Sequence, residues 1–148
     1  MDWFVFALFM AASFTAAATG SLFPPDQWYK DLTKPGWTPP NWLFPIAWTI
    51  LYVASAYAAM HIALHENNAV PMGFWAFQIA ANTLWTPIFF GLKKLGVAMV
   101  AILVLWIAVL GTLITFFQLD QVAGLLMVPY LIWVSYAAAL NLNIWRTN

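Results

Sequence analysis

Charge is what this chain has least of: Asp, Glu, Lys and Arg make up 7% of its 148 residues, five acids against five bases. A soluble domain carries roughly 25% charged residues, so a chain that is also 64% hydrophobic cannot cover itself against water and belongs in a bilayer. Cysteine is absent, which excludes disulfide frameworks, thiolate metal sites and cysteine nucleophiles together. Clustered cations are absent too, and with them the electrostatic footprint that nucleic-acid binding needs. A basic leader is also missing. Ala16-Ala17-Ala18 resembles a cleavage site, but Asp2 stands where a secretory signal would be basic, so the first apolar run is expected to be retained.

The ten charges divide the chain into uncharged stretches at 3–25, 35–65, 67–92, 95–119 and 121–145, each long enough for the roughly 20 residues of a spanning helix. The expected fold is therefore all-α, one integral membrane bundle over 1–148 with five transmembrane helices at about 3–22, 43–64, 72–92, 95–117 and 122–145. In the first span Ala12, Ala16 and Gly20 stand four apart and predict a face for close helix packing. Between spans one and two lies a long structured loop, 23–42, holding five of the nine prolines and the aromatics Trp28, Tyr29, Trp37 and Trp42. Pro129 is expected to kink the last span, because an interior proline deletes a backbone hydrogen bond.

Alternate loops lie on opposite sides of a bilayer, and the charges segregate accordingly. Lys30, Lys34, Lys93, Lys94 and Arg146 share one side, whereas Asp2, Glu66 and Asp120 fall on the other without a cation. The positive-inside rule predicts that the loop and the C-terminus face the cytoplasm and that the N-terminus faces out.

No span carries Asp, Glu, Lys or Arg away from its ends, which argues against proton- or ion-coupled pumping and against a buried carboxylate dyad. The spans offer aromatic and amide chemistry instead. Trp75, Gln78, Asn82, Trp85 and Thr86 recur at spacings of three and four on one stripe of span three, which either cross-links helices or lines a site. At 1.5 Å per residue Trp48 lies roughly 8 Å from the cation-bearing end of its span, Trp85 roughly 10 Å, Asn82 roughly 15 Å and Trp133 roughly 18 Å. Indoles this deep, on three helices, are either core packing or the walls of a slot for a flat aromatic ligand. His61 and His65 stand four apart, but without a third ligand they read as interfacial histidines, and no metal site is expected.

Several longer motifs carry a resemblance: Trp28-Tyr29, Lys34-Pro-Gly-Trp-Thr-Pro-Pro-Asn-Trp42, Phe44-Pro-Ile-Ala-Trp-Thr-Ile-Leu-Tyr52, Asn82-Thr-Leu-Trp-Thr-Pro-Ile-Phe-Phe-Gly91 and Pro129-Tyr-Leu-Ile-Trp133 followed by Ala137 to Asn141. In order and register over nearly the whole chain, they resemble the tryptophan-rich sensory protein, or translocator protein, family, also called peripheral-type benzodiazepine receptors. The resemblance implies a five-helix bundle, usually a homodimer, whose pocket in the cytoplasmic half is covered by the first loop. It implies ligands such as protoporphyrin IX, haem, synthetic isoquinoline carboxamides and benzodiazepines, with no obligatory cofactor. Carried over by motif, the pocket is Trp48, Tyr52, Asn82, Trp85, Phe89, Trp133, Ala137 and Leu140, and the lid is Trp28, Lys30, Lys34, Trp37 and Trp42. Lys30, Lys34 and Arg146 are the cations available to porphyrin propionates. In animals the family also binds cholesterol, but Leu142 stands here where the proposed sterol motif has Tyr.

The expected function is thus porphyrin or tetrapyrrole binding in sensing and regulation. One alternative is light-dependent porphyrin degradation, with Trp48 and Trp133 as electron donors; another is tetrapyrrole or cholesterol transport. The bacterial cell membrane is the expected location, and the mitochondrial outer membrane is the other membrane the family inhabits.

Overall fold

In a computed structural model, which describes residues 2–148, the chain is mostly helical, with its longest non-helical stretch at 32–42, and contains no strand among the described residues. Its helices are α1 (Trp3–Leu22), α2 (Gln27–Asp31), α3 (Leu43–Ala63), α4 (Ala69–Thr86), α5 (Leu95–Leu119), α6 (Gln121–Leu126) and α7 (Val128–Thr147). A π-helical turn, Pro87–Leu92, continues α4.

Three of the five acids serve helix starts. Asp2 accepts from the Phe4 and Val5 amides at the head of α1, Asp26 from the Tyr29 amide in α2, and Asp120 from the Val122 and Ala123 amides in α6. Each supplies an acceptor to N–H groups that have no partner within the helix, and places negative charge at the positive end of its dipole. The loop at 23–42 is therefore not irregular throughout, since Asp26 nucleates α2 inside it.

Four helical rods among the described residues are long and apolar enough to cross a membrane: α1, α3, α5 and the 27-residue run Gln121–Thr147. The sequence counts five, and the difference falls on α4. Its 18 residues include Gln78, Asn82, Thr83 and Thr86, so the polar stripe that marks it as a site helix also lowers its apolarity. Pro87 lacks the N–H that would continue the α ladder, and the six residues from it to Leu92 take the wider π turn before Lys93, at φ 60°, ends the rod. Pro129 interrupts the last span, as the missing N–H leads one to expect: α6 stops at Leu126 and α7 restarts at Val128, which leaves the proline in a first turn where it breaks no further hydrogen bond. Smaller differences extend span three back to Ala69 and span five on to Thr147.

The core is shared by α4, α5 and α7, where Ile102, Leu105, Val109, Val134 and Ile144 are fully buried. Outward positions are apolar as well, with Phe4, Ile50, Leu84, Val100, Ile107 and Ile132 all largely exposed, a belt suited to lipid and not to water. α1 packs against α3 and α4, while α3 meets α6 closely and α7 only sparsely. The space between α3 and α7 is filled by aromatic rings.

Candidate ligand site

Trp48 is the centre of that aromatic seam. Its ring stacks on Tyr52 (centroids 5.7 Å, planes at 24°) and meets Tyr130 edge-on at 6.0 Å and Trp133 edge-on at 6.3 Å. Phe44 adds an edge contact to Trp133 at 5.9 Å. Edge-to-face and offset contacts at these separations are the favoured aromatic geometries.

Below the seam, Asn82 accepts from the Tyr52 hydroxyl at 3.2 Å and donates its amide to the Tyr130 hydroxyl. Its polar atoms thus tie α3, α4 and α7 together, as the cross-linking alternative for the polar stripe anticipates. Trp75 of the same stripe donates to the Ser55 hydroxyl at 2.8 Å, while Gln78 is fully buried with no partner for its amide. Trp85 is fixed from the other side: its indole N–H donates to Asn141 at 3.1 Å, and Asn141 donates to the Leu95 carbonyl at 3.1 Å. Trp85 also packs on Phe89 at 5.3 Å.

A cavity of about 380 Å³ lies between α1, α3 and α4 near the lid. Trp48, Tyr52 and Trp85 form one side; Ala16 and Gly20 of α1, with Phe23 and Pro24 of the loop, form the other. A second hollow of only about 10 Å³ shares Phe44, Trp85 and Phe90 with the first and is closed by Tyr29, Phe89, Ala137, Leu140 and Asn141. The expected pocket residues are thereby divided. Trp48, Tyr52 and Trp85 face the open cavity, Phe89, Ala137 and Leu140 face the nearly filled one, and Asn82 and Trp133 line neither but touch residues that do.

The lid is pinned at both ends. Near α2, the Lys93 ammonium lies 3.2 Å from Asp26 and 5.7 Å from the centre of the Trp28 ring, and Trp28 packs on Phe89 at 6.1 Å. The Tyr29 amide bonded to Asp26 holds that carboxyl below its ordinary range, against partial desolvation, and Lys93 lowers it further. At the other end the Tyr136 hydroxyl donates to the Trp37 carbonyl, and Thr33 exchanges hydrogen bonds with the Asn148 side chain at 3.0 and 2.8 Å. Lys34 is drawn inward, donating to the Tyr29, Lys30 and Leu32 carbonyls and capping the Tyr29 ring at 4.7 Å. Lys30 is exposed, and so is Trp42 at the head of α3.

Two features of the site lie outside the motif-based residue set. Tyr29 is 2% exposed, packs on Phe90 at 5.2 Å, and buries its hydroxyl without a hydrogen-bond partner; burial pushes its pKa up. The Trp133 indole N–H is likewise buried and unpartnered. The wall supplied by α1 is the other. Ala16 is buried, as the packing-face reading expects, but no heavy atom stands within 4 Å of where a Gly20 Cβ would be, so the upper part of the small-residue stripe borders space and not a helix. Asn141 had a signal in the sequence, an amide one turn beyond Ala137 on the inward stripe.

Apolar rods, a cavity walled by aromatics and a proline-rich cover fit a multi-pass integral membrane protein. The profile of the TspO/MBR family matches residues 4–146, and the chain belongs to that family. It is 49% identical over 148 residues to the tryptophan-rich sensory protein of Cereibacter sphaeroides, covering 100% of this chain and 94% of that one. It is 47% identical to protein CrtK of Rhodobacter capsulatus, covering 97% and 92%, and 35% identical over 127 residues to the human translocator protein, covering 82% and 75%.

Proposed function

We propose that the chain is a membrane receptor for porphyrins, protoporphyrin IX and haem among them, acting in tetrapyrrole or stress sensing. The carrying observation is the double position of Trp48, which walls the roughly 380 Å³ cavity and also meets Trp133 edge-on at 6.3 Å. The cavity and the aromatic seam are therefore one continuous surface, and a volume of this order lies within the usual range of about 300–1,000 Å³ for ligand pockets. A planar macrocycle stacks on Trp48 and Trp85 with Tyr52 beside it. Movement of Phe44, Trp85 and Phe90, the residues common to both hollows, opens the path to Phe89, Ala137 and Leu140. The unpartnered Trp133 N–H and Tyr29 hydroxyl favour a ligand that brings hydrogen-bond acceptors, since a buried donor left unpaired is costly. Asn82 holds the seam's tyrosines in place, and Trp28, Lys30, Lys34, Trp37 and Trp42 belong to the cover. Isoquinoline carboxamides and benzodiazepines, aromatic and carrying carbonyl acceptors, suit the same surface.

In this reading the bundle spans the membrane five times, with the 18 residues of α4 and the 6 of its π turn forming the remaining span. At 1.5 Å per residue in α4 the combined rod reaches about the 30 Å of the hydrocarbon core. The lid end, which carries the cations, faces the cytoplasm of a bacterial cell and the N-terminus faces out, with the mitochondrial outer membrane as the other candidate location. The working unit is a homodimer. Reporter fusions at either terminus test the orientation.

Binding is tested by titrating purified protein with protoporphyrin IX in the dark and following tryptophan quenching. Each aromatic contact contributes about 0.5–1.5 kcal/mol beyond burial, so Trp48→Leu combined with Trp133→Leu should weaken binding by roughly 5- to 100-fold with unchanged helical circular dichroism. Unaltered affinity would sink the reading.

The Trp48–Trp133 contact favours a second activity. The photo-excited porphyrin takes an electron from Trp48 and passes it to dioxygen, Trp133 shares the indole hole meanwhile, and the superoxide adds to the macrocycle; the adduct then returns an electron to the indole pair, so the net change is addition of dioxygen across the opened methine bridge. Illumination of the complex under oxygen should then yield an open-chain tetrapyrrole, at a rate that falls in Trp133→Phe while dark affinity is retained.

A further inference from the structure

We infer that the outward face at the end of α7 seats one phospholipid with an anionic headgroup. Ala139, Leu142, Asn143 and Arg146 recur at spacings of three and four on this face, opposite the inward stripe of Tyr130, Val134, Ala137, Asn141 and Ile144. A hollow of about 450 Å³ lies over them, closed at its edges by Trp37 of the lid and by Thr147. Ala139 and Leu142 make an apolar floor, and Arg146 stands at its end as an exposed guanidinium.

At this end of the molecule the Lys30, Lys94 and Arg146 side chains have no ion pair or hydrogen bond among the described residues, and of these three it is Arg146 that lines the hollow. Lys93 is paired with Asp26, and Lys34 is taken up by three carbonyls. Arg146 has neither an ion pair nor a hydrogen bond among the described residues, and the Asn143 amide and Trp37 indole N–H beside it are also unengaged. Three free donors around one hollow call for an acceptor-rich anion, and the guanidinium fork matches phosphate oxygens in pairs. The floor decides what carries that phosphate. A free ion would leave Ala139 and Leu142 facing water, whereas an acyl chain covers them. α7 belongs to an apolar rod long enough to cross a membrane, so Arg146 at its end lies at headgroup depth. A sterol, whose one polar group is a hydroxyl, would leave the cation uncompensated.

The stripe points away from Trp48 and the 380 Å³ cavity, so this seat is separate from the porphyrin site and its test does not depend on that reading. The experiment is native mass spectrometry of the full chain released from detergent with equimolar phosphatidylglycerol and phosphatidylcholine of identical acyl chains. One phosphatidylglycerol should be retained per chain in preference to phosphatidylcholine. Arg146→Gln should lower that occupancy roughly fivefold, the factor that about 1 kcal/mol per membrane-surface cation implies, and Asn143→Leu should lower it less. Arg146→Lys should restore part of the loss, and Lys94→Gln, which changes charge at the same end but outside the hollow, should leave occupancy alone. Equal retention of the two lipids, Arg146→Gln behaving as the original, displacement by millimolar inorganic phosphate, or preferred retention of cholesterol would each overturn the proposal.

Discussion

Asn82 is the residue on which the inner end of the site turns. It is 2% exposed and joins two buried phenols that approach from different helices, Tyr52 and Tyr130. Replacing it by Ala orphans both hydroxyls in an apolar interior, each at about 1–3 kcal/mol, whereas Tyr52→Phe removes one donor and leaves only an amide oxygen unpaired. Asn82→Ala should therefore lower stability by about 2–4 kcal/mol and Tyr52→Phe by about 1 kcal/mol, read from reversible denaturation in detergent. Asp26 acts at the lid with a pH signature. Its carboxyl is held below the ordinary value by the Tyr29 amide and by Lys93, so its contribution to lid docking is present above the ordinary carboxylate range and lost as pH falls through the depressed value. Hydrogen exchange at the Tyr29 amide, corrected for intrinsic rates, should keep its protection down through the ordinary carboxylate range and lose it only at more acidic pH, as the depressed carboxyl protonates. Asp26→Ala should lack that protection at every pH and show no acid step.

At the scale of the element, the turn from α5 into α6 has the least freedom. A Cβ at Gly124 would stand 2.5 Å from the Phe117 Cβ and 2.6 Å from its Cα, so relief would require moving backbone on one helix or the other. A Cβ at Gly111 meets the Phe74 ring at 2.4 Å, a side chain that can rotate away. Gly124→Ala should thus destabilise by about 2–3 kcal/mol and Gly111→Ala by about 1 kcal/mol or less, a ranking that thermal unfolding of the two variants checks. The rods themselves were legible in the sequence because ten charges partition the chain and one residue, Asp2, Asp26 or Asp120, begins each capped helix. What the pattern concealed was local. Pro87 and Pro129 both announce an interruption, but the same missing N–H leads to a π turn after Thr86 and to a restart at Val128, a difference the local pattern does not carry. Tyr29 escaped for a similar reason: a tyrosine between charged residues in a proline-rich loop reads as interfacial, and only the fold of α2 turns it inward onto Phe89 and Phe90.

For the whole molecule, the arrangement of cavity and cover bears on the route a ligand would take under the proposed function. The motifs identified Trp48, Tyr52 and Trp85 because chemistry-bearing side chains leave a signature, but they were silent on the α1 wall, whose Ala16 and Gly20 contribute by being small. That wall is where the cavity opens. Gly20, Ser21, Pro45 and Thr49 line it and are exposed, so its mouth lies sideways between α1 and α3 at a depth where the surrounding surface is apolar. The lid is clamped, by Lys93 on Asp26 at one end and by Asn148 and Tyr136 on Thr33 and Trp37 at the other. Under the proposed function, a hydrophobic macrocycle already dissolved in the bilayer would reach the mouth without lifting that cover. Association should then be gated at α1. Gly20→Phe, whose side chain has open space to enter, should slow the binding of membrane-partitioned protoporphyrin IX roughly tenfold, because the mouth must first clear. Lys93→Ala combined with Asn148→Ala, which frees the lid at both ends, should change the association rate by less than about twofold. Stopped-flow quenching in liposomes measures both, and a lid variant that binds much faster than the original would place the entrance beneath the loop instead.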